Sequence, residues 1–225
     1  KRGFIAKRES GLINDAEGRF VFDSDAFEFL RDGRDCPDTV NPHLWRHATL
    51  NAHHGLFMVA EGVWQVRGYD ISNITFIKGA QGWIVIDPLS AQDTARASYE
   101  LVTKHLGHRP ITAVIYTHSH VDHFGGVLGI TSKEEVDAGK CRIIAPAPFL
   151  QETVGETVIA GPAMGRRATH RGVSHTLVAA GRSRLPSGDR SRSTATRTQG
   201  RQGVAGDATQ PLLPTGRHPQ IDHGL

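Results

Sequence analysis

The stretch AVIYTHSHVDHFGG, residues 113–126, places His118, His120, Asp122 and His123 within six positions, directly after an apolar run. ITAVIYT is short, continuous and rich in β-branched residues, and it follows a helical pattern, so it reads as a buried strand. In locally extended backbone, residues two apart point the same way, so His118 and His120 can converge on one metal ion. Asp122 and His123 follow as the chain turns and can face a second ion. Imidazole nitrogen and carboxylate oxygen are donors suited to Zn²⁺. Gly125 and Gly126 are read as the residues that let the backbone turn into the next helix. Two metals about 3.5–4 Å apart can share a hydroxide and clamp a leaving oxygen, so the chemistry implied is hydrolysis by a metal-activated water.

The surrounding pattern is α/β. Residues 1–55 form a lead-in segment, in which DSDAFEFLRDG reads as a short helix and DCPDTVNPHLW as a turn-rich connection. GLFMVAEGVWQVRG holds two short strands, and NITFIKGAQGWIVIDP is a hairpin with its turn at Gly79–Gly82. TARASYELVTKHLG is a helix with Ala97, Leu101, Val102 and Leu106 on one face and Gly107 as its stop. The metal motif lies in the loop after the next strand, GGVLGI opens onto a further helix, and CRIIAP is another strand. Residues 56–165 thus form a layered α/β domain.

After about residue 165 this grammar ends. Residues 166–225 carry ten Arg, no Lys and three Asp, whereas residues 1–165 carry 16 Lys and Arg against 20 Asp and Glu. No Phe, Trp or Tyr occurs after Phe149. Such a segment cannot bury enough apolar surface to offset its ordering entropy, so it is expected to be disordered. Its arginines could touch phosphates, but with no interleaved aromatics the segment implies no specific nucleic-acid partner. No run approaches the ~20 apolar residues of a membrane span. Cys36 and Cys141 are too few for a disulfide framework and read as free thiols.

THSHVDHFGG resembles the signature of the metallo-β-lactamase superfamily, whose fold is an αββα sandwich, and WIVIDP resembles its strand-plus-Asp element. NPHLWRHATLNAHHGLFMVAEGVWQVRGYDISNITFI and VIAGPAMGRRAT are similar to alkyl sulfatases of the dodecyl-sulfate-hydrolase type, over residues 3 to about 169. The resemblance implies a zinc-dependent sulfuric ester hydrolase that cleaves primary alkyl sulfates to alcohol and sulfate. His118 and His120 would bind one Zn²⁺, Asp122 and His123 the other, with Asp122 also orienting the metal's water. Asp87 would be hydrogen-bonded to a ligand or to that water; the lesser alternative is a carboxylate that caps the strand–helix turn. The family's remaining ligands, its dimerisation region and its sulfate-binding groups lie downstream of the motif and are not recognisable here. The chain therefore reads as only the N-terminal part of the sandwich, truncated or frameshifted after Thr169, with its true start also missing. The compartment stays open between periplasmic or secreted and cytoplasmic.

Two other readings stand beside this one. One is a different hydrolase of the same fold, acting on lactones, β-lactams or thioesters. The other is an inactive fragment with two donors per metal, where catalytic zinc normally has three protein ligands. His53 or His54, beside GLF, is a candidate to line a substrate pocket or to serve as a structural histidine. Asn73 is a candidate to pair with the metal loop or to serve in a turn. Phe57, Trp64, Phe76 and Trp83 are read as core aromatics, and His43, His47, His105 and His108 as surface or capping residues.

Overall fold

Alternation of buried and half-buried positions, as in Ile74–Lys78 and Trp83–Ile86, marks strands that present one side to a core. The computed structural model describes residues 2–30 and 33–163. The aperiodic segment 166–225, with His170, His175, His218 and His223, lies outside the described residues.

The described strands are β1 (Phe4–Ala6), β2 (Leu12–Asn14), β3 (Phe20–Asp23), β4 (Gly55–Ala60), β5 (Val63–Arg67), β6 (Ile74–Lys78), β7 (Trp83–Ile86), β8 (Ile111–Ile115) and β9 (Arg142–Ile144). The α-helices are α1 (Pro42–Asn51), α2 (Gln92–Leu106), α3 (Lys133–Asp137) and α4 (Phe149–Val154). One mixed sheet runs β1-β4-β5-β6-β7-β8-β9, and β2 and β3 form a separate hairpin. Pairings from β1 to β7 are antiparallel; β7, β8 and β9 are mutually parallel.

One expectation is corrected and two are made more exact. The short helix read in DSDAFEFLRDG is present, as a 3₁₀ helix over Asp25–Leu30. The end of DCPDTVNPHLW is not connection but the start of α1: the Asn41 side chain accepts from the His43 and Leu44 amides, and Pro42 occupies the first helical turn. That is the ordinary preference for an N-cap oxygen followed by a proline whose missing N–H is not needed. GGVLGI forms only a 3₁₀ turn, Val127–Gly129, and the helix begins later at Lys133, behind a capping box of Ser132 and Glu135. The lead-in segment also supplies β1, which extends the main sheet beside β4.

The core is continuous through the sheet and α2. Leu56, Ile74, Phe76, Val85, Val102 and Val114 are fully buried, and Ile13 and Phe22 of the β2–β3 hairpin join them. Trp83 sits edge-on to Trp64 and to Phe76, with ring centroids 5.4 and 6.1 Å apart. On α2, Ala97, Leu101 and Val102 are buried as their spacing requires, Leu106 packs at the margin, and Gly107 ends the helix at φ +87°. Cys141 is buried, Cys36 is half-buried, and both are free thiols. No described helix is long and apolar enough to cross a membrane.

This topology fixes where chemistry can sit. Parallel neighbours end at the same edge of a sheet, and that edge is where open α/β sheets bind ligands. Asp87 follows β7, the His-rich loop follows β8, and the segment leading to α4 follows β9. Backbone bonds from Asp87 N to Ile115 O (3.0 Å) and from Tyr116 N to Ile144 O (2.9 Å) hold the three strand ends in register.

Candidate metal centre

The loop leaves β8 at Tyr116, whose buried ring stacks on Phe149 with centroids 5.3 Å apart and is desolvated enough to push its pKa up to about 12. Thr117 is then tied twice to Asp87, its amide to Oδ1 at 2.8 Å and its hydroxyl to Oδ2 at 2.7 Å. Asp87 is buried and adopts φ +54°, and Leu89, two residues on, adopts φ +66°. Two non-glycine residues in the left-handed region within one turn are costly and persist only where the surroundings impose them. Here the turn aims the Asp87 carboxylate back at the loop.

Asp87 also accepts from His123, with Nδ1 2.8 Å from Oδ2. The opposite nitrogen of that ring, Nε2, stands 3.2 Å from Asp122 Oδ2. His118 Nε2 and His120 Nδ1 face each other at 3.1 Å, and His118 Nδ1 is 2.9 Å from the Thr117 hydroxyl. His120 Nε2 lies 3.2 Å from Glu156 Oε2.

These partners dictate where the ring protons go. Asp87 can only accept, so the proton of a neutral His123 sits on Nδ1 and its Nε2 faces another carboxylate as an acceptor. The Thr117 hydroxyl gives its hydrogen to Asp87, so His118 donates from Nδ1 and keeps Nε2 bare. Glu156 Oε2 is an acceptor within reach of His120 Nε2, and a proton there leaves Nδ1 bare. With the three rings neutral, the result is two pairs of lone pairs facing one another, an arrangement that either a metal ion or an added proton between them relieves. Burial, then the charges of His123 and His120, hold the His118 pKa below its ordinary 6.5, which favours the neutral, ligating form.

The spacing agrees with that reading. Two donors about 2.0–2.2 Å from one tetrahedral zinc lie about 3.3–3.5 Å apart. The observed 3.1 and 3.2 Å are close to that span, so the residues fit metal ions taken two donors at a time. Among the described residues no group of three or more His, Cys, Asp or Glu side chains is arranged around one ion. The structure brings together His118, His120, Asp122, His123 and Asp87, all named from the sequence.

Three further residues were not legible there. Glu156 arrives from the segment after β9. Asp70, buried in the β5–β6 loop, accepts from the Ile71 amide (2.7 Å), from Ser90 and from Thr94 Oγ1 (2.6 Å), and so ties that loop to the start of α2. Ser72 donates from Oγ to the Asp122 carbonyl. Of the two roles open to Asn73, pairing with the His-rich loop falls instead to its neighbour Ser72. Asn73 lines a cavity of about 580 Å³ with His53, Phe57, Arg67 and Asp70, while His54 is buried against Tyr69.

The two glycines act differently from expectation. Neither Gly125 nor Gly126 has positive φ. A Cβ on Gly125 would stand 2.4 Å from Ser90 O, and one on Gly126 2.2 Å from Pro88 O. They are needed for close approach of the metal loop to the Asp87 turn.

With this geometry in hand, comparison with known proteins is specific. The sequence profile of the metallo-beta-lactamase superfamily matches residues 67–221. The chain is 46% identical over 169 residues to a linear primary-alkylsulfatase of Pseudomonas sp., and 43% identical over 170 residues to an alkyl/aryl-sulfatase of Saccharomyces cerevisiae. These alignments cover 75% and 76% of this chain but 25% and 26% of the relatives, so the chain spans about a quarter of their length. Among solved structures, a stereoselective inverting sec-alkylsulfatase from Pseudomonas sp. superposes with a TM-score of 0.69 at 48% identity, covering 75% of this chain and 26% of that one.

Proposed function

The chain belongs to the metallo-β-lactamase superfamily, and from that premise we propose that it carries the zinc-binding loop of an alkyl-sulfate hydrolase. Membership implies a metal; zinc, its two-ion stoichiometry and the residues that hold it are this proposal. The observation that carries it is the pair of facing donor sets, His118 Nε2 with His120 Nδ1 and His123 Nε2 with Asp122 Oδ2. When bound, zinc supplies Lewis acidity and makes water a competent nucleophile near neutral pH.

The chain's own residues do the rest. His118 and His120 would hold one ion and Asp122 and His123 the other, all four from a single loop. Asp87 fixes His123 through Nδ1 and fixes His118 through Thr117, so one buried carboxylate orients a ligand in each pair. Asp122 has a second oxygen beside the one facing His123, and it would be free to accept a hydrogen bond from the attacking water and so orient it. The sulfate ester is taken as substrate because the relatives of known activity are alkylsulfatases, similar over three quarters of this chain.

The test grafts residues 2–163 into the aligned region of the Pseudomonas linear primary-alkylsulfatase. Zinc-dependent release of sulfate from dodecyl sulfate, lost on His118→Ala, is expected; hydrolysis of a β-lactam or lactone in its place would overturn the substrate assignment. The chain alone, with two facing donors per ion among the described residues, is expected to bind zinc without turnover.

A further inference from the structure

Glu156 is the last glutamate of the chain and has no motif around it. It lies in a single π-helical turn, Gly155–Ile159, that continues α4, closed by a bond from Ala160 N to Gly155 O (2.9 Å). Such a turn inserts an extra residue into a helix and recurs at functional sites. Here Val158 and Ile159 stand 70% and 78% exposed, whereas Glu156 turns inward. Its Oε2 lies 3.2 Å from His120 Nε2 and 3.3 Å from Ser119 Oγ. The carboxylate thus bridges the segment after β9 to the loop after β8.

His120 needs such a partner more than its neighbours do. Its side chain is 43% exposed, against 23% for His123, and among the described residues its ring contact is with His118, itself a loop residue. Packing alone leaves the ring free to rotate or to carry its proton on either nitrogen. His123 is fixed by Asp87 and His118 by Thr117; for His120 the corresponding place is taken by Glu156.

We propose that Glu156 is a positioning residue for His120: it takes the Nε2–H and so holds the ring with its Nδ1 lone pair facing His118 Nε2. This rests on the metal reading of the site. A ligating histidine is generally oriented by an acceptor on its other nitrogen, and loss of that acceptor weakens metal affinity by about 10–100-fold.

The experiment uses the full chain with ¹⁵N-labelled histidine. In the metal-free protein, long-range ¹H–¹⁵N spectra report which nitrogen of His120 carries the proton; competition with a chromophoric chelator reports zinc affinity. Wild type is expected to protonate Nε2. Glu156→Ala is expected to lose that preference and to bind zinc about 10–100-fold more weakly. Glu156→Gln, whose amide oxygen still accepts, is expected to restore the tautomer and most of the affinity. An unchanged His120 tautomer in Glu156→Ala overturns the proposal. So does a Glu156→Gln protein with the wild-type tautomer but the affinity of the alanine variant, because Glu156 would then be acting on the metal directly. Zinc binding indifferent to His118→Ala combined with His120→Ala overturns the metal reading instead, and the tautomer still decides whether Glu156 holds the ring.

Discussion

Replacing Asp87 by alanine removes the acceptor of three hydrogen bonds: from the Thr117 amide, the Thr117 hydroxyl and His123 Nδ1. Hydrogen bonds to a charged group contribute about 1.5–3 kcal/mol each, but solvent can replace those from Thr117 Oγ1 and His123 at this half-open edge. The Thr117 amide is less easily resolvated, at about 1–3 kcal/mol. Alanine also tolerates φ +54° less well than aspartate, which adds about 1 kcal/mol. The total is about 3 kcal/mol for Asp87→Ala. Asp87→Asn keeps an oxygen for the Thr117 amide and keeps the tolerance for a left-handed backbone, so it should lose about half as much. Urea unfolding of the metal-free chain, followed by tryptophan fluorescence, measures both. Zinc affinity of the alanine variant should fall about 10–100-fold, as His123 and His118 lose their orientation together. If Asp87→Ala unfolds within about 0.5 kcal/mol of wild type, or if asparagine is as damaging as alanine, the carboxylate does not organise this loop as described.

Gly126→Ala places a Cβ against two carbonyl oxygens, of Pro88 and Ala91, neither of which can swing away, so a stability loss of about 2–3 kcal/mol by denaturation is expected. The Tyr116 pKa is raised from 10.0 to about 12, so the folded chain keeps a proton that the unfolded chain gives up; stability should fall as pH rises between those values, and Tyr116→Phe should flatten that fall. The His118 pKa is lowered from 6.5, so its contribution is present above that value and is lost as pH falls through the folded pKa; metal-free wild type should lose stability on acidification more steeply than His118→Gln.

What could be read from the sequence was what is local in it. The His-rich loop needs only an apolar strand and a fixed spacing, and Asp87 only the end of the strand before α2. The helix α1 was hidden because Asn41–Pro42 is as good a turn as it is a helix start, and only the amides of His43 and Leu44 settle the matter. The strands β1, β2 and β3 are three or four residues long, too short to show a period. Asp70 and Glu156 could not be found by spacing at all. Their partners lie 20 and 36 residues away, and a sheet has to form before they meet. The pair Gly125–Gly126 was visible, but its reason was not, since what it approaches is the backbone of another loop.

The three parallel strands act on the site as a vernier. Asp87, the histidine loop and the Glu156 segment ride on separate strands, and what aligns them is a ladder of backbone bonds that touches none of their side chains. One step along a strand is about 3.3 Å. A slip of β9 by a single notch would carry its end away from the Tyr116–Ile144 bond by as much as a hydrogen bond is long, and Glu156 with it. Accuracy at the metal loop is therefore inherited from the sheet, so substitutions that loosen the pairing of Arg142–Ile144 with Ala113–Ile115 can mistune a histidine they never contact.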